Sequence, residues 1–135
     1  MKTTFFVFVL ALLVFSCNDD DDTQQHTDLM LDGSWSLVNV SGGFAGVDDD
    51  FEIGLITWGF DHDNWKVTIT NKNTVNVIFD GLASGTYDYQ LITATSEEID
   101  LVVDSFSFRM TTLTSEQLIL DEGVAADGFL LTFSR

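Results

Sequence analysis

The chain has 135 residues, of which 45% are hydrophobic, so it can close one apolar core but is too short for a second domain. It carries 22 acidic residues against 5 Lys and Arg, which gives a net charge of −17 at pH 7. A field of that sign repels phosphate backbones, so we exclude nucleic acid as a partner. The single domain is predicted to be a monomer.

The first 16 residues have the pattern of a secretory leader. Lys2 and the amino terminus supply positive charge, and an unbroken apolar run follows over residues 5–15. A helix needs about 20 apolar residues to span a bilayer, so this run predicts a cleavable signal peptide rather than a membrane span. Ser16 supplies a small residue directly before Cys17.

Residues 13–17, Leu-Val-Phe-Ser-Cys, resemble the lipobox of bacterial lipoproteins. The resemblance implies that the Cys17 sulfur carries a diacylglyceryl group, with palmitate-type chains, and that the leader is cut just before it. Cys17 is the only cysteine and has no internal disulfide partner, so lipidation accounts for it better than an incidental free thiol does. We therefore predict a protein anchored to a membrane without spanning it.

A polar segment follows the cysteine, with four aspartates at residues 19–22. Such a run cannot bury apolar surface and predicts a solvated spacer. It also resembles the acidic export signal that sends some bacterial lipoproteins to the outer face of the outer membrane, and we predict that location. The predicted organisation is a signal peptide over residues 1–16, a lipidated cysteine and tether over 17–28, and a folded domain over 29–135.

The folded part alternates apolar and polar residues with a period of two, which is typical of strands with one buried face. Eight strands are predicted near residues 35–38, 51–60, 65–70, 86–91, 98–103, 106–111, 117–121 and 129–134. Residues 75–79 are a further candidate strand. Residues 41–50 are predicted to be a mobile surface loop; gating of a barrel mouth and weak cation binding are the other interpretations.

Short polar turns separate most of these segments, which indicates an up-and-down meander. A meander of eight amphipathic strands removes its two open edges by closing on itself. The predicted fold is all-β, a small eight-stranded up-and-down antiparallel barrel.

Gly33-Ser34-Trp35 in the first strand, together with a last strand that ends at Arg135, resembles the lipocalin-like lipoproteins of bacteria. Residues 54–60, 85–89 and 113–120 are similar as well. The resemblance implies that Trp35 plugs the closed end of the barrel and that Arg135 lies across its indole, as a cation over an aromatic ring.

The sequence offers no set of nucleophile, base and orienting group, so we predict a protein that is not an enzyme and holds no cofactor. His62 lies in a predicted turn, and no motif around any serine supports a catalytic triad that includes it. Asp61, Asp63 and Asn64 begin like a calcium loop, but Trp65 takes the next ligand position and no distal glutamate follows. A hairpin turn is the better interpretation, and no metal site is predicted.

Two functions remain open. In the first, the barrel holds one small hydrophobic ligand, in contact with Trp58, Tyr87, Tyr89, Phe106 and Phe108, and the two tyrosines serve as polar handles. In the second, large rings fill the barrel, and it acts as a surface module that binds a protein or a glycan. Inward positions are predicted for Trp35, Trp65, Tyr87, Tyr89, Phe106, Phe108, Phe129 and Phe133.

Overall fold

A computed structural model describes residues 26–28 and 30–135. The predicted leader, Cys17 and the aspartate tract lie outside these residues. The strands are β1 (Gly33–Gly42), β2 (Val47–Asp50), β3 (Ile56–Asp61), β4 (Lys66–Asn71), β5 (Gly85–Thr93), β6 (Ile99–Val103), β7 (Phe106–Leu113), β8 (Gln117–Asp121) and β9 (Phe129–Ser134). A 3₁₀ turn, Val124–Ala126, precedes β9, and residues 26–28 and 30–31 are helical. None of the described helical segments is long and apolar enough to cross a membrane.

The strands form one antiparallel sheet in the order β2-β1-β3-β4-β5-β6-β7-β8-β9, and β1 pairs with β9 to close it. Both β2 and β3 pair with β1, β2 opposite residues 39–42 and β3 opposite residues 33–36. They therefore share one position in the wall, which has eight strand positions in all. The predicted all-β, eight-stranded antiparallel barrel is confirmed.

Two predictions for the connecting segments were wrong. Residues 47–50, predicted to lie in a mobile loop, form β2, because the side-chain amide of Asn39 donates to the carboxylates of Asp48 and Asp50 at 2.9 Å each. Residues 75–79, a candidate strand, join no strand of the described chain. The side chain of Asn73 hydrogen-bonds both the N–H and the carbonyl of Val75 at 2.9 and 3.0 Å, so these groups are turned away from a ladder.

The inward position predicted for Trp65 was also wrong. Trp65 has a positive φ of 53°, and its side chain is 38% exposed. That conformation places Trp65 in the turn before β4, off the inward face, whereas Val67 and Ile69 point inward as predicted. The Trp65 ring packs at the edge of the core, with centroids 5.5 Å from His62 and 5.4 Å from Tyr89.

The inward faces of the strands form one continuous core. Its largest fully buried side chains are Trp35, Trp58, Phe108 and Phe133. The Trp58 ring lies 5.1 Å from Phe133 and 5.9 Å from Phe108, centroid to centroid, in edge-to-face contacts. Aromatic rings therefore fill the centre of the barrel.

The strand register defines two ends. The closed end carries the helical residues before β1, the turn at residues 62–65 and Arg135. The open end carries the turn at residues 43–46, the connection at residues 122–128, and residues 72–84, which we call the β4–β5 segment.

Candidate functional site

Three parts of the chain meet at the closed end. The indole Nε1 of buried Trp35 donates to the carbonyl of Leu31 at 2.8 Å. The guanidinium carbon of Arg135 lies 3.8 Å from the centroid of the Trp35 ring, and its Nη2 donates to the carbonyl of Met30 at 2.6 Å. Arg135 thus ties the last strand to the residues that precede the first one.

Tyr89, a predicted ligand handle, lies in this closed end. Its hydroxyl, Oδ1 of Asp28 and Nδ1 of His62 are buried and have no hydrogen-bond partner within the described chain. Burial raises the pKa of the Tyr89 phenol, and the negative charges of Asp28, Asp32 and Asp61 raise it further. Burial also raises the pKa of Asp28, against an opposing effect of His62. These groups form a buried polar cluster far from the open end.

The β4–β5 segment covers the open end of the barrel. Gly81 has a φ of 89° and lies on the core: a Cβ there would sit 3.6 Å from Cδ2 of Leu37 and 3.7 Å from Cζ2 of Trp58. The neighbouring Leu82 is buried in the core. Phe79 stacks on Phe129, with centroids 4.5 Å apart and an interplanar angle of 14°. The segment thereby closes the mouth of the barrel with apolar contacts.

The hydrogen bonds of this segment are largely its own. Asn73 Nδ2 donates to the carbonyl of Val75 and to Oδ2 of Asp80, each at 3.0 Å. The backbone N–H of Lys72 donates to the carbonyl of Leu55 at 3.0 Å at one base of the segment. Within the described chain, residues 74–82 make no hydrogen bond to the barrel wall, so apolar contacts alone hold them there. Such a segment can open without disrupting the sheet.

One polar atom beneath the segment has no partner. Trp58 is fully buried, and no acceptor among the described residues meets its Nε1–H. A Cβ on Gly81 would lie 3.8 Å from that nitrogen, which places the donor directly under the segment. A buried donor left unpaired costs about 1–3 kcal/mol, so an oxygen acceptor brought to this position would be favoured.

The other predicted ligand residues are spread along the barrel. Phe108 packs against Trp58 in the core. Tyr87 is half-buried near the open end, and its hydroxyl donates to the carbonyl of Ala83 at 2.8 Å, at the second base of the segment. Phe106 begins β7 on the same face as Phe108, but it is 40% exposed because it lies at the rim. The structure brings Trp58 and Phe108 together, puts Tyr87 and Phe106 nearer the mouth, and leaves Tyr89 at the other end.

Sequence reasoning missed Phe79, Gly81 and Leu82 as parts of this site. A signal was present, because Val75, Val77, Ile78, Phe79 and Leu82 make an otherwise polar connection unusually apolar. Within the part of the chain that the structure describes, no group of three or more His, Cys, Asp or Glu side chains is arranged to hold a metal ion.

Comparison with known proteins identifies the type of barrel. No family model matches the chain, and no curated protein matches it. Among solved structures, a lipocalin-like protein from Bacteroides uniformis ATCC 8492 is similar, with a TM-score of 0.52 and 16% sequence identity, over 78% of this chain and 98% of that one. The chain is therefore a closed eight-stranded antiparallel barrel with a lipocalin-like structural neighbour.

Proposed function

We propose that this protein is a non-catalytic, membrane-anchored lipoprotein whose barrel binds a small hydrophobic ligand under the β4–β5 segment. The observation that carries the ligand proposal is the buried, unpaired Nε1–H of Trp58 beneath Gly81. The ligand body takes the space that Phe79 and Leu82 leave when the segment opens, and an oxygen of the ligand accepts the hydrogen bond of Trp58.

The charge of the protein selects among such ligands. Asp80 lies within the β4–β5 segment, Glu122 and Asp127 lie within the connection to β9, and the whole chain carries a net charge of −17. A ligand carboxylate would meet this field on its way to the mouth, whereas a neutral hydroxyl or carbonyl would not. We therefore infer a neutral ligand with a long apolar body, such as a retinoid alcohol, in preference to a fatty acid anion.

Titration of the protein with retinol and with palmitate tests the ligand proposal. We expect retinol to quench tryptophan fluorescence saturably and to raise the melting temperature, and to bind more tightly than palmitate. Trp58→Phe keeps an aromatic ring but removes the donor, so it should weaken retinol binding about fivefold to tenfold. The matched control is Trp65→Phe, at the opposite end, which should leave the affinity unchanged. Absence of saturable retinol binding would contradict the proposal.

The anchor is tested separately. The single cysteine behind an apolar leader supports lipidation at Cys17, and the aspartates at residues 19–22 support delivery to the outer membrane. Mass spectrometry of the mature protein should find an N-terminal cysteine with a diacylglyceryl group. A Cys17→Ser variant should leave the membrane fraction, whereas Ser16→Ala, which keeps a small residue before the sulfur, should remain there. Membrane retention of Cys17→Ser would overturn the anchor.

A second candidate function follows from the filled core. Because Trp58 contacts both Phe108 and Phe133 and all three are fully buried, the barrel can also act as a solid scaffold that presents surfaces to a protein or a glycan. Under this alternative retinol has no effect on fluorescence or melting.

A further inference from the structure

One strand of the sheet has a free edge. Within the described chain β2 has one strand neighbour, β1. The N–H of Phe51 donates to the carbonyl of Val38 at 2.9 Å, and opposite pairs in an antiparallel ladder alternate between bonded and unbonded. Asp49 therefore bonds to β1, whereas Asp48 and Asp50 direct their backbone N–H and carbonyl groups away from it, toward the free edge.

This edge faces a gap in the barrel wall. A cleft of about 440 Å³ lies between residues 45–49 and residues 76–78 of the β4–β5 segment. A second cleft, of about 320 Å³, shares Asp49 and Val77 with the first and extends to Leu55 and Asn73. Among the described residues, the backbone groups of residues 76–78 make no hydrogen bond. Both sides of the gap thus offer free main-chain groups.

The side chains around the gap restrict what can enter it. The charged residues that line the two clefts are Asp48, Asp49, Asp50 and Glu52, all acidic. Asp49 is half-buried on the same side of β2 as Val47, whereas Asp48 and Asp50 are held by Asn39. The remaining lining is largely apolar: Val47, Phe51, Leu55, Val75, Val77 and Ile78. An occupant that carries both cationic and apolar side chains matches this surface.

We propose that the gap between β2 and residues 75–78 binds an extended basic segment of a partner protein, which adds to the free edge of β2 as an extra strand. The free main-chain groups of Asp48 and Asp50 form hydrogen bonds to the added strand. An ion pair with the carboxylate of Asp49 selects lysine or arginine in that strand. A second copy of this chain is a poor occupant, since each copy carries −17. The free edge of β2, which supplies the template, lies in the wall and outside the β4–β5 segment that covers the proposed ligand.

The test uses the protein purified in detergent from membranes, with a fluorescent seven-residue peptide of alternating lysine and valine as the probe. We expect saturable binding that weakens with salt, and slower hydrogen exchange at the Asp48 and Asp50 amides when the peptide is bound. A peptide of the same composition with N-methylated valines, which cannot donate all of its main-chain hydrogen bonds, should bind at least tenfold more weakly.

Two charge-reversal variants distinguish peptide binding at this site from nonspecific attraction of a basic peptide to an acidic protein. Asp49→Lys should weaken peptide binding at least tenfold, whereas Asp63→Lys, an equal change in an exposed turn at the closed end, should weaken it less than twofold. Equal effects of the two variants, protection of other amides, or undiminished binding of the N-methylated peptide would overturn the proposal. Protection of Asp48 and Asp50 by dimerisation without peptide would overturn it too, in favour of a second copy.

Discussion

Arg135, the last residue of the sequence, contacts both the Trp35 ring and the Met30 carbonyl. Because a cation over a ring and a charged hydrogen bond are lost together, Arg135→Ala should lower the free energy of unfolding by about 1–2 kcal/mol. Urea titration followed by fluorescence measures this. Lys72→Ala, at an exposed side chain, is the control and should change stability by no more than about 0.5 kcal/mol. Equal losses would mean that the stack contributes nothing.

The buried carboxyl group of Asp28 should make the stability of the protein depend on pH. Burial raises its pKa in the folded state, so the native protein holds this proton more tightly than the unfolded chain. The resulting stabilisation is complete below the unfolded pKa of about 3.9 and is lost as the pH rises through the higher folded value. Asp28→Asn, which cannot ionise, should therefore be more stable than the parent at pH 7, and the difference should shrink toward pH 3.

Denaturation of both proteins at pH 7 and pH 3 measures the effect of Asp28. Asp63→Asn is the control, since it removes one negative charge from an exposed turn without touching the buried polar cluster. A stabilisation of Asp28→Asn that is as large at pH 3 as at pH 7 would exclude the ionisation argument.

Individual residues show where sequence patterns succeed. Alternation alone identifies Leu37, Val67, Phe108 and Phe133 as inward, and all four are buried. It fails at Trp65 because the positive φ of this residue places it in the turn before β4, and nothing in the composition of the turn indicates this. The unpaired Trp58 donor could not be predicted either, since it depends on the approach of Gly81 from a distant segment.

Among the connecting elements, the β4–β5 segment is expected to open on its own. Lys72 lies at its base, so trypsin should cut there before it cuts after Lys66 or Arg109, which lie within strands. Phe79→Ala removes the stack on Phe129, worth about 0.5–1.5 kcal/mol beyond its buried area, and should speed cleavage at Lys72 roughly tenfold.

Limited digestion with mass identification of the fragments measures this opening. The control is Phe44→Ala, because the Phe44 side chain is 93% exposed in the turn after β1 and holds nothing in place. If cleavage after Lys66 and Arg109 rose in parallel with cleavage at Lys72, the whole barrel would be opening and the segment would have no independent motion.

The strands themselves were largely predictable, and the connections were not. A period of two marks most of the eight wall positions, and closure follows from the need to remove open edges. The exception is the apolar run at residues 51–60, which was predicted as one strand and forms β3 only from Ile56 onward. By contrast, β2 could not be predicted, because three of its four residues are aspartates. Two of these are held in the strand by hydrogen bonds from Asn39 in the preceding strand. The role of residues 72–84 also depends on tertiary contacts, because their apolar side chains cover the core without forming a strand.

At the scale of the whole molecule, charge repulsion opposes compaction. With 22 acidic residues against 5 basic ones and few ion pairs among the described residues, the folded protein concentrates negative charge that the unfolded chain can spread out. Raising NaCl from 20 to 500 mM should therefore move the urea midpoint upward at pH 7. A downward shift would show that the attractive pairs, such as Arg109 with Glu98 and Asp100, outweigh the repulsion.

The pairing of β1 with β9 also makes the two ends of the barrel different from one another. It brings Gly33 and Arg135 to the same pole, next to the residues through which the chain arrives from its N-terminal portion. A reporter fused after Arg135 would emerge at the pole from which the chain leads back to Cys17, the proposed site of lipidation. A reporter inserted at residues 43–46 would project from the opposite pole into the medium, so paired fusions at these two sites could measure how the barrel stands on a membrane.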